Sequence, residues 1–241
     1  MKKLLTLALQ NKHVTQSIVC KKSSDSTDIY LKGIIDAEYG VSASNLRAAF
    51  DAANGADVSL HINSPGGDVF EAREMQAIIA SYPGKVTAVV EGLAASAGTI
   101  VAISCSEVHM LAGSRFMIHN GMTIAFGNKS DMQSAYDLLN GFDVELASEY
   151  AKKTKGDADQ MTAWMDSETW FNADSALAAG FVDKVLPNNQ SVSNEWDLSA
   201  YKVAPEKQEP APPAAPPEKI DNQHRERQLQ RLKLANHATR Q

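Results

Sequence analysis

DVSLHINSPGGDVFEAREMQAIIASYPGKVTAVVE, residues 57–91, is the stretch on which the fold turns. Its first seven residues alternate apolar and polar side chains, the period of a strand with one face buried. Pro65, Gly66 and Gly67 then fix a turn. From 68 to 82, Val69, Ala72, Met75, Ile79 and Tyr82 recur along one helical face. KVTAVVE at 85–91 is the next strand. Strand, helix and strand in this order make a βαβ unit with a right-handed crossover, and so a largely parallel sheet.

Reading outward, the pattern continues in both directions. DIYLKGIID at 28–36 is a strand rich in β-branched residues, and SASNLRAAFDAA at 42–53 a helix with Ser42 as its N-cap. SAGTIVAIS at 96–104 is a short buried helix, and brief strands come next around VHML and RFMI. Residues 129–155 hold no proline and form the longest helix. The α/β alternation spans 27–187, without an internal repeat.

The chain has 241 residues, 44% hydrophobic and 22% charged, enough to bury one large core. A net charge of −6 argues against a nucleic-acid binder. No apolar run reaches the length of a membrane span, and LLTLAL near the N-terminus is too short for a signal peptide. Two cysteines, Cys20 and Cys105, cannot build a disulfide framework or a four-cysteine zinc site, which points to a reducing, cytoplasmic compartment.

Proline usage marks a boundary. Six of the nine prolines lie between Pro205 and Pro217. The expected organisation is an N-terminal segment at 1–26, a domain at 27–190, a Pro-rich linker at 191–220 and a basic tail at 221–241, either a short amphipathic helix around Leu229, Leu232 and Leu234 or a solvated, frayed end. On that reading the end of the chain has no core of its own. Removing 201–241 should then change neither stability nor chemistry.

Three strand-end junctions are candidates for chemistry. INSPGGD at 62–68 bares backbone at Gly66 and Gly67, without the spacing of a nucleotide-binding loop. EGLAASAGTI at 91–100 surrounds Ser96 with small residues where a helix begins, so the next N–H, that of Ala97, would face an oxyanion formed on Ser96. RFMIHNG at 115–121 puts His119 at a strand end. Taken singly, each is more often a turn, a packing patch or a structural histidine. A serine nucleophile needs a base, so Ser96 and His119 matter as a pair.

INSPGG, GLAASAG, FMIH, a long helix and ETWFNADSALAAGFVDKV, in that order, resemble the proteolytic subunit of the Clp protease, and most of all its phage and prophage branch of head maturation proteases. The resemblance covers about 28–187. It implies a spiral of ββα units shared with crotonase-type enzymes, a handle helix at 129–155, and a disordered tail. It also implies a serine endopeptidase with Ser96 as nucleophile, His119 as base and the N–H groups of Gly67 and Ala97 as oxyanion hole. The family's third member is an aspartate; the ungapped position here is Glu168, with Asp166 as its rival. No cofactor or metal is implied. The implied partners are a protein or peptide substrate, further copies of the chain in a ring, and an ATP-driven unfoldase or a capsid protein. Two other readings stand beside it: a crotonase-type enzyme acting on a coenzyme A thioester, whose sites generally rely on carboxylates, and a catalytically silent capsid or scaffold component.

Overall fold

The computed structural model describes residues 2–24, 26–187 and 196–205. Helix α1 (Lys2–Gln10) and strand β1 (Ser17–Lys22) lead into β2 (Thr27–Lys32), α2 (Ala43–Ala53), β3 (Val58–Ser64) and α3 (Val69–Ser81). Next come β4 (Val86–Ala95), α4 (Ala97–Ile103), β5 (Glu107–Leu111), β6 (Arg115–Ile118) and the long α5 (Lys129–Thr154). The described body closes with α6 (Ala158–Asp166), β7 (Thr169–Asn172), α7 (Ala173–Ala178) and β8 (Lys184–Leu186).

The expected α/β architecture is the one found. Eight strands form a single sheet in the order β1-β2-β3-β4-β5-β8, with β6 paired to β4 and β7 to β6. From β2 through β8 the path is parallel; β1–β2 and β6–β7 are antiparallel. Local chemistry sets the boundaries. Ser42 starts α2 with a capping box, its hydroxyl accepting from the Asn45 N–H while Asn45 Oδ1 accepts from the Ser42 N–H. Asp68 caps α3, accepting from the N–H groups of Phe70 and Glu71. The face of α3 that meets the sheet is Ala72, Met75, Ile78 and Ile79, all buried.

Strand β4 has two successive neighbours on one side. Its first half, Thr87 to Val90, pairs with β5, and its second half, Leu93 to Ala95, pairs with β6. A register shift against β3 falls between Ile62 and Ser64. The strand ends immediately before Ser96.

Both ends of the body extend beyond the expected boundaries of 27 and 190. A second apolar cluster joins Leu7 and Val14 to Ile34, Leu93 and Met117, and also to Trp196, Leu198 and Tyr201. Trp196 is 1% exposed, and its indole N–H donates to Asn63 Oδ1 at 2.8 Å. Residues 196–205, expected as linker, are thus a packed strap. Three large apolar side chains within six residues give this segment its burial. Removing 201–241 would take Tyr201 out of the core, so the indifference expected of that deletion does not hold. The tail at 206–241, with most of the expected linker, lies outside the described residues. Among the described residues no helix is long and apolar enough to cross a membrane.

Candidate active site

Sheet register brings three strand ends together. Ala95 is the last residue of β4 and pairs with Met117 of β6, and the Ser96 N–H continues that ladder by donating to Met117 O at 2.9 Å. On the other side of β6, Ile118 pairs with Thr169 of β7. The next antiparallel step sets residue 119 opposite residue 168. Ser96, His119 and Glu168 are therefore the first residues beyond three adjoining strand ends.

The side chains meet accordingly. Ser96 Oγ lies 2.8 Å from His119 Nε2, within hydrogen-bond reach for a proton transfer. Ser96 takes φ 52° and ψ −121°, a backbone state that L residues rarely hold and that costs about 1–3 kcal/mol. His119 and Glu168 are both buried, at 9% and 6% exposure. Glu168 Oε1 accepts the Val203 N–H at 2.8 Å. Asp166, the rival carboxylate, is exposed and accepts from Asn120 Nδ2 at 2.7 Å. It anchors the loop that comes after His119. Asp143 does the same from α5, accepting the Gly121 N–H at 2.7 Å; burial raises its pKa against that hydrogen bond, and Asp166 adds to the rise.

The glycine turn after β3 is pressed against the same spot. Gly66, at φ 93°, leaves no room for a side chain: a Cβ there would sit 2.6 Å from Ala95 O and 2.8 Å from Ser96 Cβ. Gly67, at φ 153°, bridges to Ile35, whose carbonyl oxygen would be 2.0 Å from an added Cβ. The Ile35 N–H donates to Gly66 O and the Asp68 N–H to Ile35 O, so one edge of this turn is already paired. Ala97 is the first residue of α4, where a helix leaves its N–H groups without partners of its own. Gly67, Ser96, Ala97 and His119 line one cavity of about 450 Å³. Its walls are mainly apolar, from Val69 and Phe70 on α3, Ile124, and Leu138, Leu139, Phe142 and Leu146 on α5. Helix α5 is fastened to α4 through Tyr150, whose buried hydroxyl meets Thr99 Oγ1 at 2.5 Å.

The remaining described histidines sit elsewhere. His61 is held on the sheet between Glu91, at 2.8 Å, and Asp28, at 3.3 Å, and stacks on Tyr30. His109 pairs with Glu107. Among the described residues no cluster of histidine, cysteine or carboxylate groups could hold a metal. The sequence reading missed the strap: Tyr201 lines the cavity and meets His119 edge-on, with ring centroids 5.6 Å apart. Trp196, Leu198 and Tyr201, close together just before the prolines, were its available signal.

A serine against a histidine, at the end of a parallel-sheet strand and under a glycine turn, is an arrangement that nucleophilic serine chemistry can use. The family model described as Clp protease matches residues 11–189. The ATP-dependent Clp protease proteolytic subunit 3 of Rhodococcus jostii is 32% identical over 184 residues, 73% of this chain and 86% of its own length. The corresponding subunit of Leuconostoc citreum is 32% identical over 134 residues, 54% of this chain and 67% of its own. Subunit 2 of Thermobifida fusca is 31% identical over 139 residues, 57% and 68%. The chain belongs to the Clp protease family and is a serine-type peptidase.

Proposed function

We propose that the chain hydrolyses internal peptide bonds through a Ser96–His119–Glu168 triad and an acyl-enzyme. The observation that carries this reading is the 2.8 Å contact between Ser96 Oγ and His119 Nε2 within the cavity. His119 takes the hydroxyl proton as Ser96 attacks the carbonyl carbon, then returns it to the leaving amine; water repeats the sequence to release the acid. Glu168, buried and beside His119 in register, fixes the imidazole and offsets the charge it gains. The N–H groups of Gly67 and Ala97 receive the tetrahedral oxyanion, and each donor of this kind supplies on the order of 10²–10³ in rate. The apolar walls suit the hydrophobic side chains that an unfolded protein substrate exposes.

Assembly is read from α5. Met132, Tyr136, Leu138 and Val144 on this helix are exposed, at 41%, 64%, 61% and 63%, which favours a second copy of the chain as their cover in a ring-shaped homo-oligomer. The relatives' names describe ATP-dependent proteolytic subunits, and an ATP-driven unfoldase is the matching partner here. Free Cys20 and Cys105 fit a reducing cytoplasm. A phage capsid protein as substrate is the narrower version of the same reading. A fluorophosphonate probe tests the chemistry: Ser96 should be labelled, and Ser96→Ala should lose label and about 10⁶ in kcat on a fluorogenic peptide. A Ser96→Ala variant that keeps most of its activity refutes the reading.

A further inference from the structure

The strap at 196–205 touches each strand end that carries the site. Trp196 holds Asn63 at the end of β3, and the Tyr201 hydroxyl donates to Pro65 O at the head of the glycine turn. The Tyr201 ring stands at 73° to the His119 imidazole and also packs edge-on against Trp170 of β7. Two residues further on, the Val203 N–H donates to Glu168 Oε1 at 2.8 Å. The strap is itself pinned to the N-terminal segment, because Asn11 Nδ2 donates to Asp197 O at 2.9 Å and Asn11 Oδ1 accepts the Asp197 N–H at 2.6 Å.

We propose that this strap is a working part of the catalytic site, in which the Val203 amide and the Tyr201 ring position Glu168 and His119 for catalysis. The inference rests on the triad reading and adds to it two positioning residues from outside the span 11–189 that the family model matches. The physical case is one of rotamers. A carboxylate at the rim of a sheet can swing; Glu168 itself sits at φ 50°, off the strand path. A backbone N–H fixed to one of its oxygens removes that freedom and holds the other oxygen in a constant direction. An imidazole can likewise turn about its χ2 angle unless its flank is filled, and the buried Tyr201 ring fills it. Burial above all raises the pKa of the Tyr201 phenol, which keeps it a neutral donor to Pro65. The Val203 amide lies on Glu168 and not on the cavity lining, so its loss should appear in the rate of the chemical step and leave substrate binding alone, whereas Tyr201 also lines the cavity and its hydroxyl reaches Ser96.

The test is Val203→Pro, which deletes the amide proton, read by kcat and KM on a short fluorogenic peptide and by the rate of fluorophosphonate labelling at Ser96. The expected result is a fall of about ten- to a hundredfold in kcat and in labelling rate, the range for a lost hydrogen bond to a charged group, with KM within about twofold. Val203→Ala keeps the amide and rescues the rate. Tyr201→Leu serves if the proline variant melts below the assay temperature: it keeps an apolar side chain in the core but removes the ring beside His119, and should lower kcat and labelling rate about three- to tenfold. A folded Val203→Pro or Tyr201→Leu protein with wild-type kcat and labelling overturns the proposal and leaves the triad standing. So does a fall that Val203→Ala shares. A wild-type protein that takes no probe overturns the triad reading and this proposal with it.

Discussion

Trp196→Ala separates a linker from a piece of the core. A substitution in an exposed linker stays within about 0.5 kcal/mol, which for a domain of this size moves the midpoint by no more than about 2 °C. In the structure Trp196 is 1% exposed and packs with Leu7, Ile34, Leu93 and Met117. Truncating a buried tryptophan to alanine costs about 3–5 kcal/mol, because the cavity left behind adds to the lost transfer energy. Its indole also occupies Asn63 Oδ1, and that acceptor loses its donor in the variant. At about 2–4 °C per kcal/mol the midpoint should fall by roughly 6–20 °C. The cost is a large share of the roughly 5–15 kcal/mol that holds a domain folded. The assay is a thermal melt of wild type and variant at one protein concentration, since assembly makes the midpoint concentration-dependent. A midpoint for Trp196→Ala within about 2 °C of wild type would refute the packed strap.

Three further outcomes are expected. Glu168→Gln should lower kcat by about 10⁴ with little change in melting, as when a triad acid becomes an amide, whereas Asp166→Asn should stay within about tenfold of wild type; equal small losses on a peptide substrate would mean that neither carboxylate orients His119. Gly67→Ala must displace the Ile35 carbonyl, 2.0 Å from the new Cβ, and should cost about 2–4 kcal/mol in a denaturant melt and at least about a hundredfold in kcat, whereas Gly98→Ala, with nothing nearer than 3.4 Å, should be close to neutral. For His61, burial opposes the charge, but hydrogen bonds and charge from Glu91 and then Asp28 outweigh it and raise the pKa above 6.5. A raised folded-state value gives stability that is complete below 6.5 and lost as pH rises through the folded pKa, so the excess melting temperature of wild type over His61→Gln should be largest in mild acid and shrink on the alkaline side; a pH-independent gap would contradict the ion pairing.

How much of this was legible in the chain depends on how local each cause is. The boundaries of α2 and α3 were readable because Ser42 and Asp68 cap their own helices, and β3 because one buried face enforces alternation. β1 left no such trace: SIVCKK is partly exposed along its whole length, so little selects a pattern. The strap has no period at all, since an irregular segment buries its side chains one by one. Ser96 and His119 could be named as candidates, but their meeting depends on the pairing of Ala95 with Met117, between strands that are not consecutive in the chain. The choice between Glu168 and Asp166 was open in the sequence because two carboxylates two residues apart look alike. Burial of one and exposure of the other is a tertiary fact.

Pairing of this kind also sets which changes the lineage can accept. Substitutions along β6 alter packing one position at a time, but loss or gain of a single residue between Arg115 and Ile118 would turn every later side chain to the opposite face. His119 would then leave Ser96 and Glu168 in one step, whatever its own identity. Variation in length should therefore collect where no ladder transmits it, as between Gly121 and Asn128 ahead of α5, and be absent from the strands. On the proposed mechanism, the spacing from Arg115 to His119 is as fixed a requirement as the histidine at its end.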